Sequence, residues 1–178
     1  MGTLFVDKLD PQSGTSLEIG SSGDTITIPS GATITNNGTQ TGFGGTNTPN
    51  FKAYNSGNTS CANNTATLMA ADTELFDSDN AFASNKFTVP SGEGGKYIFT
   101  ARVYMPTSTN TDHAEVRIYK NGSSRGSSSH VHRDYQTHLH VYIDNASAGD
   151  YFEVYYRQNT GSTQNAQLYE FSGFKLIE

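Results

Sequence analysis

Four of the five histidines fall into two pairs, His130-Val-His132 and His138-Leu-His140, within a stretch of eleven residues, while His113 stands apart. In a β-strand, residues i and i+2 project to the same side, so each pair would present two imidazoles on one face. If three chains met on a common axis, one pair would supply six imidazole nitrogens. That is enough for an octahedral divalent transition metal, and imidazole suits Fe, Ni, Zn or Cu. The plainer reading makes them semi-polar residues on the solvent-facing or subunit-facing side of a strand whose core face carries Leu139, Val141 and Ile143. Both readings stand, and no cofactor is expected beyond such an ion.

Arg133, Asp134 and Tyr135 lie between the two pairs. Exposed loops on a rigid scaffold are where receptor contacts concentrate, and Tyr and His rings can stack on sugar faces. The bland alternative is an ordinary hairpin tip. Asp77, Asp79 and Asn80 are rich in oxygen ligands, but the EF-hand spacing with its Gly and distal Glu is missing. A turn held by Asx hydrogen bonds is expected there. Ser and His abound, yet no GxSxG elbow, HExxH helix, P-loop or GxGxxG turn occurs, so no catalytic residue is assigned. Cys61 is the lone cysteine, which excludes an intrachain disulfide and a CxxC redox pair and suggests a small buried thiol.

The elements that must position these residues are strands. The 178 residues suffice for one full-sized domain and a small appendage. Gly, Ser, Thr and Asn are abundant, Trp is absent, and ten Tyr with ten Phe supply the bulk. That mixture suits many short strands joined by tight turns. A formal charge of −6 with scattered basic residues gives no footprint for nucleic acid. No segment reaches membrane-spanning length and residues 1–10 lack the pattern of a secretory signal, so synthesis in a host cytoplasm without membrane insertion is expected.

Residues 1–46 read as very short alternating strands, with Leu17, Ile19, Ile26, Ile28 and Ile34 on one side, then a Gly, Asn and Pro cluster at 42–50. Glycines at 14, 23, 31 and 38 mark a weak repeat. Strands so short bury too little surface to stand alone; three chains wound together would bury the Ile side, which is the logic of a fibre stem. Disorder is the alternative. The head is expected over 47–178. There, Tyr97 to Met105 alternates Tyr97, Phe99, Ala101, Val103 and Met105 against Ile98, Thr100, Arg102 and Tyr104, so both sides are expected to be covered. Ala114, Val116 and Ile118 face inward ahead of the Asn121-Gly122 hairpin turn. Tyr151 to Tyr156 is expected to pair with the 138–143 strand, and the last strand, 166–177, to break at Ser172-Gly173.

Several pieces occur in the order found in the complement C-one-q globular head and its tumour necrosis factor relatives: Phe76-Asp77, Phe82, Phe87-Thr-Val-Pro90, Gly95-Lys-Tyr97-Ile-Phe99, Val116 to Gly122, Ala148-Gly149-Asp150-Tyr151 and Phe171-Ser-Gly-Phe174. Residues 50–178 therefore resemble that family. The resemblance implies an all-β jelly-roll sandwich that forms a homotrimer through aromatic and aliphatic strand faces, and binds rather than catalyses. The stem, with Val6-Asp-Lys-Leu9 and Gly-Asp-Thr-Ile-Thr-Ile-Pro-Ser-Gly-Ala, is similar to N-terminal parts of bacteriophage fibre and virion appendage proteins, whose tips use HxH pairs for metal. No collagen repeat precedes the head, which favours the viral side of the resemblance. The expected protein is a virion fibre or spike, attached to other virion proteins by its N-terminal segment and meeting host-surface glycan or protein through its head. A capsid or tail decoration without receptor, and a glycan depolymerase with paired carboxylates, are the alternatives.

Overall fold

The computed structural model describes residues 8–38, 47–106, 113–131 and 135–176, with backbone alone at 130 and 131. The chain divides into two compact units, Met1–Phe43 and Gly44–Glu178.

In the first unit the backbone turns at the glycines: Asp24 N–H donates to the Ser21 carbonyl, and Ala32 N–H to that of Pro29. Gly20, Gly23 and Gly31 sit at φ +82°, +95° and +85°, a region that only glycine enters freely. No strand ladder forms among its described residues, and Leu17, Ile19, Ile26, Ile28 and Ile34 are all exposed.

The second unit holds twelve strands among its described residues: β1 (Asn50–Asn55), β2 (Thr59–Cys61), β3 (Thr67–Leu68), β4 (Thr73–Asp77), β5 (Phe82–Ala83), β6 (Lys86–Thr88), β7 (Gly95–Met105), β8 (His113–Lys120), β9 (Ser123–Val131), β10 (Gln136–Ala146), β11 (Tyr151–Gln158) and β12 (Gln164–Lys175). They form two antiparallel sheets. The first runs β10-β7-β12-β1-β4 with β2 on β12; the second runs β5-β6-β11-β8-β9 with β3 on β11.

Alternation places one side of each central strand in the core. On β7, Tyr97, Phe99, Ala101, Val103 and Met105 are fully buried; on β8, so are Ala114, Val116 and Ile118; on β11, Phe152, Val154 and Tyr156. In place of Trp, a stack of phenylalanines fills the space between the sheets. Phe51 lies 4.7 Å from Phe87 and 4.9 Å from Phe171, and Phe99 lies 4.2 Å from Phe152, centroid to centroid. Each such ring contributes about 2–3 kcal/mol by leaving water, and truncating Phe99 to Ala would cost about 3–5 kcal/mol.

Two expectations about pairing fail. β11 does not pair with β10: the turn after β10 carries the chain to the other sheet, where β11 lies between β6 and β8. Nor does the last strand break at Ser172-Gly173. β12 runs through both residues, because a side chain at Gly173 would meet Phe99 at 2.5 Å and the Ile98 carbonyl at 2.9 Å. Glycine is there for close approach, and the irregularity in the ladder falls instead at Leu168, with φ +44°.

One end of the sandwich is tied by Asp150. Its carboxylate accepts from Ser147 N–H at 2.8 Å and from Asn121 Nδ2 at 2.8 Å, and pairs with Lys120 Nζ at 3.1 Å. Asn121 and Gly122, at φ +52° and +73°, form the expected hairpin turn, and Asn121 Oδ1 accepts from Tyr151 N–H at 2.9 Å. The Ser147 backbone N–H holds the Asp150 carboxyl down at about 2, helped by Asn121 and Lys120. The Ala148-Gly149-Asp150-Tyr151 motif is thus a joint between the β8–β9 and β10–β11 turns.

Candidate interaction surfaces

Of the histidines singled out from sequence, His132 lies outside the described residues, as do Arg133 and Asp134. His130 sits on β9 opposite Ala114, and its side chain is outside the described set. His138 and His140 share one side of β10, and that side points into the sandwich. His138 is 1 % exposed, its Nδ1 2.9 Å from the Tyr156 hydroxyl and its Nε2 3.3 Å from Gln136 Oε1. Burial pushes the Tyr156 hydroxyl far above its ordinary range, and its hydrogen bond to Nδ1 runs in the direction the His138 tautomer sets. His138 is a hydrogen-bonded core residue, and the expectation that it faces solvent or a neighbouring subunit is corrected. His140 stacks against Tyr142 beside Gly126 of β9, where a side chain would come within 3.1 Å of His140 Nε2. Among the described residues no cluster of three His, Cys, Asp or Glu side chains is placed to hold a metal.

The assignment of Leu139, Val141 and Ile143 to the core is reversed by the same geometry. They are 48 %, 50 % and 58 % exposed. β10 is an edge strand of the first sheet, and its inward side meets β9 across the gap between the sheets, where Ser128 Oγ donates to the Leu139 carbonyl at 2.8 Å. Polar groups seal that side of the sandwich, leaving the aliphatic set outward.

The outward face of the first sheet is therefore apolar at both flanks. Ile143 and Ile98 stand in register with Phe174, and Val141 with Thr100 and Ser172. Beyond β12, Phe76 and Phe174 border a groove of about 440 Å³ shared with Asn50, Lys52 and Gly173. One ionic row crosses the centre: Glu170 lies 3.0 Å from Arg102 and 3.7 Å from Lys52.

At the tip, Tyr135 is 75 % exposed with φ +57°, its N–H on the Pro106 carbonyl. Asp77 forms the expected Asx turn, accepting from Phe82 N–H at 2.7 Å and Asp79 N–H at 3.3 Å. Cys61 is buried, its thiol held up by desolvation.

The outward face of the second sheet has a different composition. Glu115, Arg117 and Tyr119 of β8 and Tyr151, Glu153, Tyr155 and Arg157 of β11 alternate with the core residues. Tyr119 and Tyr155 lie 4.2 Å apart between ring centroids, and Lys86 Nζ stands 4.7 Å over Tyr151. Sequence reading put Tyr119 outward but missed this pairing, because β11 was assigned to the wrong partner strand.

Two antiparallel sheets with this strand order, packed over an aromatic core, define the jelly-roll sandwich of the complement globular-head and tumour necrosis factor type. Solved structures bear this out as fold. The globular domain of zebrafish complement 1qA protein matches at 16% identity over 72% of this chain and 97% of its own, with a TM-score of 0.53. PRD1 vertex protein P5 matches at 15% identity over 74% of this chain and 99% of its own, with a TM-score of 0.58. Murine APRIL matches at 15% identity over 71% of this chain and 98% of its own, with a TM-score of 0.53. No family model matches the sequence, and no curated protein does.

Proposed function

We propose that this chain is a non-enzymatic, homotrimeric structural protein of a phage particle, a fibre or spike whose head meets the host surface. The observation that carries the reading is the outward face of the first sheet. Leu139, Val141 and Ile143 on one flank and Phe76 and Phe174 on the other are exposed on a strand-paired, rigid surface. A soluble head that kept such a face in water would be prone to association. Because the β10 residues Leu139, Val141 and Ile143 and the groove at β12, β1 and β4 are different patches of one sheet, contact between them would be head-to-tail, the kind that closes into a ring when its rotation allows.

The Ile-lined first unit supports the same assembly. Its apolar residues have no cover within one chain, so three copies would bury them together and make folding and association one event. The segment would then dock on other virion proteins, placing the head outward. Likeness to a phage vertex protein favours a virion location, and it equally suits the second reading, a capsid or tail decoration that touches no receptor. A depolymerase receives no support from the acids on the strands: Glu115 is bound by Arg117 and lies 3.4 Å from Arg157.

Light scattering on the purified chain tests the assembly. A mass near three times 19.2 kDa is expected, falling toward one chain in Val141→Asp. A wild-type monomer would overturn the reading. Binding of the labelled protein to host cells separates fibre from decoration.

A further inference from the structure

The two outward faces of the head differ in chemistry. On the first sheet the most exposed groups are Leu139, Val141, Ile143, Phe76 and Phe174, with one ionic row of Lys52, Arg102 and Glu170 between them. On β8 and β11 of the second sheet, the outward residues are His113, three tyrosines, two arginines and two glutamates, and Leu68 of β3 stands opposite Tyr155. Recognition surfaces are enriched in Tyr and Arg. This one alternates rings with charges: Glu153 stands opposite Tyr119, Tyr155 opposite Arg117, and Arg157 opposite Glu115.

We propose that this face is a saccharide-binding platform centred on Tyr119 and Tyr155; the inference rests on the recognition role given to the head above. A pyranose presents a C–H face that packs on an aromatic ring and a rim of hydroxyls that need donors and acceptors together. Tyr119 and Tyr155 supply adjoining ring surface, Arg117 and Lys86 supply donors, and Glu153 supplies acceptors around it. Tyrosine provides that area at low entropic cost, since it has only two side-chain torsions to fix. The strands beneath are fully buried on their other side, so the platform is rigid before ligand arrives. Nucleic acid does not fit, because acids share the face and the chain carries −6 overall. In a trimer closed through the first sheets, the second sheets remain outward, giving three copies of a weak site and the gain of multivalency.

The test is binding of the full chain to immobilised hexose, N-acetylhexosamine and uronic acid oligosaccharides. Tyrosine fluorescence serves as a second readout, since no tryptophan masks it. Tyr119→Thr and Tyr155→Thr keep strand propensity and are each expected to weaken binding about tenfold, the loss of roughly one stacking contact. Tyr119→Phe and Tyr155→Phe retain the ring and should stay within about threefold. If the Thr variants bind as wild type while Tyr135→Thr abolishes binding, the platform is wrong and the tip is the site, with the recognition role intact. If the wild type binds none of these saccharides yet adheres to host cells, the inference fails alone. If it binds neither saccharides nor cells, the inference and the recognition role fail together.

Discussion

Replacing Asp150 by Asn removes a charge while keeping the shape of the side chain on which two turns converge. In the native chain the carboxylate holds Ser147 N–H, Asn121 Nδ2 and Lys120 Nζ, and its folded value of about 2 lies below the ordinary 3.8 of a free aspartate. The depressed carboxyl contributes stability that is complete above the unfolded value and vanishes as pH falls through the folded one. A gap of nearly two units corresponds to about 2.5 kcal/mol at most, and solvent at this rim position reduces it to about 1–2 kcal/mol. Asp150→Ala adds the cost of leaving the amide donors unmatched, for a total of about 2–3 kcal/mol. Urea unfolding at fixed protein concentration, from pH 7 down to pH 3, is the assay. The difference between wild type and Asp150→Asn should be full above about pH 5 and about half as large near pH 3. A difference that stays constant across that range would refute the assignment of the stabilisation to the charge.

Gly173→Ala should destabilise the head by about 3 kcal/mol or prevent its folding, read as thermal midpoint or soluble yield, because the added carbon meets Phe99 and a backbone carbonyl. Tyr156→Phe removes the buried hydrogen bond between Tyr156 and His138 Nδ1 and should cost about 1–3 kcal/mol in urea. In alkaline titration, Tyr97, Tyr156 and Tyr169 should remain un-ionised until the protein unfolds, since burial raises all three far above the ordinary 10.0 of a free tyrosine. Their contribution is therefore present below the unfolded value and lost as pH rises above it. Tyrosinate absorbance should appear for these residues together with loss of far-ultraviolet dichroism, not before.

What the sequence disclosed depended on whether a strand had one neighbour to satisfy or two. β7 and β8 lie inside their sheets, so the apolar set that alternation picks out is the set facing the core, and the Asn121-Gly122 turn follows from the positive φ both residues accept. β10 misled because it lies at an edge whose inner side closes on β9. There His138 meets Tyr156, His140 and Tyr142 meet Gly126 of β9, and Leu139, Val141 and Ile143 are left exposed. His138 and His140 turned inward for the same reason: HxH spacing gives a shared side and does not say which side. The Tyr119–Tyr155 pair needed the partner of β11, and strand pairing across a jelly roll is not written in spacing.

The position of β1 has a mechanical consequence. It is the first strand of the head, it lies between β12 and β4, and its ladder to β12 runs from Asn50 opposite Phe174 to Asn55 opposite Tyr169. Hydrogen bonds in an antiparallel ladder stand perpendicular to the strands. Tension arriving along the chain at Asn50 therefore shears the whole ladder at once and must also draw Phe51 and Ala53 out of the core, instead of unzipping one bond after another. A head anchored through this strand would resist a pull directed along it far better than a pull that peels β4 or β9 from a sheet edge.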